Sequence, residues 1–95
     1  MSLGWFEVMI QNGKYSGSRG IGLACLNYGQ WDMTIWIPEL CSLENCGKDL
    51  SRVGEGNKWE RNYIFIRNPA DVTIYYASDE DRILAMEKIW KEYNK

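Results

Sequence analysis

The chain has no histidine, two prolines and three cysteines in 95 residues. Histidine is the side chain whose charge changes near neutral pH, and a common zinc ligand. Its absence removes the usual base from serine- and cysteine-nucleophile chemistry. Three thiols are an odd number, so Cys25, Cys41 and Cys46 do not make the framework of a small secreted domain. Cys41 and Cys46 are separated by four residues, at the wide end of zinc-knuckle spacing. A structural zinc site needs four ligands, and these thiols supply three. The expectation is reduced, structural thiols in a cytoplasmic setting, with no metal and no cofactor.

Long apolar runs are also lacking. None approaches the ~20 residues of a membrane-spanning helix. The start, Met1-Ser2-Leu3-Gly4-Trp5, has no basic leader followed by an apolar stretch, so neither a signal peptide nor membrane attachment is expected. The net charge of −2 is small and does not advertise a nucleic-acid or anionic-membrane ligand.

What the chain does have is aromatic mass: five Trp, six Tyr and two Phe. Such residues anchor cores and interfaces. Apolar residues make up 45% and charged residues 25%, the composition of one globular domain over 1–95.

Alternation marks the strands. Phe6, Val8 and Ile10 alternate with Trp5, Glu7 and Met9, and Asn12-Gly13 comes next as a tight turn. Tyr15 to Gly22 reads as a glycine-rich loop. Ile21 to Tyr28 reads as a second strand. Trp31 to Ile37 is the clearest, with Trp31, Met33, Ile35 and Ile37 on one face and Asp32, Thr34 and Trp36 on the other. Pro38 ends it. A short helix at 39–46 is compatible with Leu40 and Leu43, and 52–58 reads as a loop. Trp59 to Arg67 and Val72 to Ala77 are the fourth and fifth strands.

Ser78, followed by Asp79, Glu80 and Asp81, has the chemistry of a helix start. Ile83, Met86, Ile89, Trp90 and Tyr93 then form one stripe. The predicted fold is α+β: about five mostly antiparallel strands in one curved sheet, with a C-terminal amphipathic helix (79–93) packed on one face.

Three motifs invite chemistry. Ser16 to Ala24, S-G-S-R-G-I-G-L-A, resembles the cofactor-binding turn of short-chain dehydrogenases. Two residues separate Gly17 from Gly20 where that family has three. The segment after the glycines is strand-like, and a Tyr-x-x-x-Lys pair is missing, so a dinucleotide fold is not implied. The same loop holds Lys14 and Arg19 and is a candidate nest for an anion. The 47–67 segment carries five basic and three acidic residues. Trp59, Arg61 and Arg67 there share strand positions with Tyr63 and Phe65, the pattern on which single-stranded nucleic acid stacks.

The preferred reading is a non-enzymatic binding protein. If the helix covers Val8, Ile35, Ile64 and Ile74, the opposite face presents Trp36, Tyr63, Phe65 and Tyr75 as an aromatic strip for protein contact or self-association. Alternation does not assign the helix to a face, so the two sets exchange if it takes the other side. Equally, the 38–58 segment can fold over the aromatic strip and make a second core. The expected role is an inhibitor, adaptor or immunity-type factor. The alternative is a nucleotide or single-stranded nucleic-acid binder.

Overall fold

The structure, a computed structural model, describes residues 1–76 and 81–95. Its strands are β1 (Ser2–Ile10), β2 (Arg19–Asn27), β3 (Gln30–Trp36), β4 (Ser51–Val53), β5 (Trp59–Arg61), β6 (Ile64–Ile66) and β7 (Val72–Ile74), and its helix is α1 (Arg82–Tyr93). The fold class is α+β, as the alternation and the C-terminal stripe imply.

Five strands form one antiparallel sheet in the order β6-β3-β2-β1-β7. β1 to β3 make a meander, and Tyr28 and Gly29 turn the second hairpin with φ of 50° and 78°. The two edge strands are consecutive in sequence, joined only by residues 67–71. A 3-10 turn over Pro69–Asp71 shortens that link, capped by the Asn68 side chain accepting from the Ala70 amide. Such a link reaches about 16 Å. Laid flat, five strands would place the edges ~19 Å apart. The sheet therefore curls into a half-barrel.

Two glycines permit that curl. Gly20 and Gly22 sit at alternate positions of β2. A Cβ on Gly20 would lie 2.1 Å from the Trp36 carbonyl oxygen, and one on Gly22 would lie 2.5 Å from the Met33 sulfur. Glycine inside a strand commonly marks such a bend. The glycine-rich stretch is thus a strand for half its length, and only 11–18 is loop.

Both faces of the sheet are covered. The concave side holds Val8, Ile10, Ala24, Met33, Ile35, Ile37, Ile66 and Val72, closed mainly by the sheet's own curvature, with Leu40 and Tyr15 from the flanking loops packed on it. The convex side holds Ile21 and Trp36 beneath Ile89 and Trp90 of α1, with Trp5, Leu23, Cys41, Cys46 and Tyr63 around them. The helix rests on β1 and β2. It covers the Trp36 side, not the Val8 and Ile35 side. The 38–50 segment helps it, so the second-core alternative holds there.

Other expectations change in detail. The strand expected over 59–67 is broken at Asn62: β5 pairs with β4 in a separate ribbon, while β6 joins β3. Of the predicted 52–58 loop, Arg52 and Val53 belong to β4, and 54–58 is the loop that joins the two strands of the ribbon, with a 3-10 turn at Glu55–Asn57. In place of a helix at 39–46 the chain turns back after Ile37 and makes one 3-10 turn, Leu43–Asn45, closed by Gly47 with φ of 85°. The helix start assigned to Ser78, Asp79 and Glu80, and the strand end at Ala77, lie outside the described residues.

Candidate interaction site

The four residues of the expected aromatic strip do not share one surface. Trp36 is only 3% exposed. Its indole ring lies against Trp5 and Tyr63, with centroids 5.5 and 5.9 Å away. Its Nε1 donates to the Lys48 carbonyl at 2.9 Å. Trp36 is a pillar of the outer core, and its place in an exposed strip is corrected: the helix takes the aromatic side because Ile21 and Leu23 of β2 lie there too.

Tyr63 is half-buried beside it. Phe65 and Tyr75 are 46% and 48% exposed, but they belong to opposite edges of the sheet. Tyr75 continues the β7 edge, its amide donating to the Glu7 carbonyl at 2.8 Å. Its hydroxyl donates to the Met9 sulfur at 3.8 Å.

The basic candidates divide as well. Lys14 lies in the 11–18 loop with its ammonium 5.5 Å from the Tyr15 ring centre. Arg19 opens β2 and is engaged by the carboxylate of Glu7. Glu7 is 5% exposed, so the pair neutralises a carboxylate held under the helix. The Ser18 hydroxyl donates to Glu39. Two carboxylates thus stand at the loop proposed from sequence as an anion nest, and its guanidinium is already partnered.

Arg61 and Arg67 each lie over an aromatic ring, Tyr63 and Phe65, at 5.5 Å. Arg61 also donates to the Tyr63 hydroxyl at 2.5 Å. Trp59 stands apart at 74% exposed, opposite the 52%-exposed Val53 in the ribbon. The two make an apolar tip, and the Arg52–Glu60 ion pair (3.0 Å) lies next along the ladder.

Sequence reasoning missed Asn62. It is buried, and its side chain clasps the preceding loop. Its Nδ2 donates to the Lys48 carbonyl at 2.9 Å, and its Oδ1 accepts from the Leu50 amide at 2.9 Å. The one hint was an asparagine inside an otherwise aromatic and aliphatic run.

It also missed the edge beside α1. Ile74, Tyr75 and Tyr76 are consecutive along the sheet edge, 45%, 48% and 52% exposed. Tyr76 shares an open groove of about 340 Å³ with Glu7, Asp81, Leu84, Ala85 and Lys88. Leu84 is 66% exposed, on the helix side away from the core. Such a cluster on an edge strand is where another chain can add contacts.

Among the described residues no cluster of three or more metal-ligating side chains occurs, and no helix is long and apolar enough to cross a membrane. The chain matches no known protein-family model, no curated protein and no solved structure.

Proposed function

We propose that this chain is a small non-enzymatic binding module that acts through protein–protein contact, as an inhibitor, adaptor or immunity-type factor. The contact surface we assign is the edge of Ile74, Tyr75 and Tyr76 with Leu84. The observation that carries the reading is the exposure of Tyr76 and Leu84 at the rim of one groove, with Ile74 and Tyr75 exposed next along the same edge. A single exposed leucine is ordinary, whereas several large apolar groups in one place favour association. β7 is an edge strand, so an added strand from the partner can extend the ladder while the rings bury. Asp81 and Lys88 supply the polar rim above the buried Glu7.

The test compares the wild-type protein with a Tyr76→Ala, Leu84→Asp variant. Self-association is read by sedimentation, and partner capture by quantitative pull-down from the source lysate. The expected result is loss of the wild-type association with an unchanged circular dichroism spectrum. Equal association in both proteins removes this edge from the reading.

One observation favours a second reading. Arg61 on Tyr63 and Arg67 on Phe65 are stacked pairs close together in the chain, near the exposed Trp59. A single-stranded nucleic acid or a nucleotide can stack on such groups. Affinity for an oligonucleotide that falls steeply with salt and is lost in Trp59→Ala and Arg61→Ala would replace the first reading with this one.

A further inference from the structure

Cys41 and Cys46 flank the 3-10 turn Leu43–Asn45, so the chain folds back between them. Both thiols are half-buried and belong to the same outer core beneath α1. The Cys41 thiol donates to the Ile37 carbonyl at 3.5 Å, and the two thiols are near enough that each shifts the other's titration. Their surroundings differ. Cys41 borders an open groove of about 590 Å³, which it shares with Glu87, Trp90 and Lys91. Cys46 lies on the other side of the turn, in a smaller pocket with Trp5, Met86 and Arg82. Cys25 is on β2, paired across the ladder with Asp32 and outside this cluster.

We propose that Cys41 and Cys46 form a thiol–disulfide exchange site that takes a low-molecular-weight disulfide and closes a bond between the two cysteines. The attacking sulfur is Cys41, because it borders the open groove while Cys46 faces the smaller pocket. The neighbouring Cys46 thiol favours its thiolate and holds it below the ordinary thiol range, against the opposing effect of burial. Cys46 is pushed far up, first by the neighbouring Cys41 and then by burial, against the smaller opposing effect of Arg82, so it stays protonated until it is needed. Lys91 in the groove adds a cation on the approach side, partly offset by Glu87.

The exchange has two steps. Cys41 thiolate attacks one sulfur of the small disulfide, forms a mixed disulfide and releases one small thiolate. That thiolate takes the Cys46 proton. Cys46 sulfur then attacks Cys41 Sγ, forms the Cys41–Cys46 bond and expels the second small thiolate, which takes a proton from water. The protein loses two hydrogens and two electrons, and one small disulfide becomes two small thiols. The closed bond would lock the turn under α1, where the Trp90 indole already donates to the Cys41 carbonyl at 3.0 Å.

The experiment treats the reduced 95-residue chain with glutathione disulfide and follows intact mass and peptide maps. The expected product has lost two hydrogens, links Cys41 to Cys46 and leaves Cys25 free. In Cys46→Ser a stable glutathionyl adduct should accumulate on Cys41. Cys41 should react about tenfold faster than Cys25 in the native chain, a difference erased in urea. A persistent mixed disulfide in the wild type, a bond to Cys25, or no preference over the urea-unfolded chain would overturn the proposal. The wild-type measurements decide it even if a variant fails to fold.

Discussion

The two faces of the sheet are buried by different means. The concave face closes on itself: Val8 of β1, Ala24 of β2 and Ile35 of β3 meet because the edges β6 and β7 are tied by a short link. The convex face is assembled from pieces far apart in sequence. Trp36 comes from β3, Trp5 from β1, Ile89 and Trp90 from α1, and Cys41 and Cys46 from the intervening turn. Polar groups locate those pieces. Trp36 and Asn62 both donate to the Lys48 carbonyl, and Trp90 donates to that of Cys41. A face closed by curvature is secured by backbone ladders, whereas a face closed by docking depends on a few indoles and one amide.

The most damaging test of that contrast is Trp36→Ala. It removes the ring that touches both Trp5 and Tyr63 and the donor to Lys48. A loss of about 4 kcal/mol in urea unfolding is expected. A loss below ~1 kcal/mol would mean the convex side is not a core at all.

Trp90→Ala is next and sharpens the comparison. It truncates the helix's main anchor, at a cost of about 3 kcal/mol. Native-state hydrogen exchange should show α1 and residues 38–50 opening sooner while β1 to β3 keep their protection. Uniform loss of protection would show that the two faces open as one unit.

Asn62→Ala should have the smallest of these effects, about 2 kcal/mol. It leaves the Leu50 amide without its Oδ1 acceptor and takes one of two donors from the Lys48 carbonyl. Asn62→Asp keeps the acceptor but sets a buried carboxylate oxygen against the Lys48 carbonyl, so it should cost at least as much as Asn62→Ala.

Particular residues explain how much of the fold is legible in the sequence. Trp31 to Ile37 alternates without interruption, and its faces are assigned correctly because period 2 has only two solutions. The face that the helix takes is not legible, because both carry large apolar groups. Trp36 illustrates the difficulty: an indole on the sheet's second face reads equally as a contact or a core residue. The β4–β5 ribbon escapes notice because three-residue strands leave little periodic signal, and Arg52, Glu60 and Trp59 look like surface in any conformation. Gly20 and Gly22 look like a phosphate-binding turn because spacing says nothing about which atom a missing Cβ makes room for. The Tyr76 and Leu84 groove joins two elements that no local pattern brings together.

Lys48 contributes its backbone oxygen, not its ammonium, to the joint that holds the outer face. Scanning position 48 with other side chains therefore leaves the acceptor in place and should report a tolerant site. The tether is exposed to variation only through Trp36 and Asn62, or through chemical replacement of the 48–49 amide by an ester, which weakens the carbonyl as an acceptor. A position that mutational maps would score as dispensable thus carries the atom on which two distant donors converge.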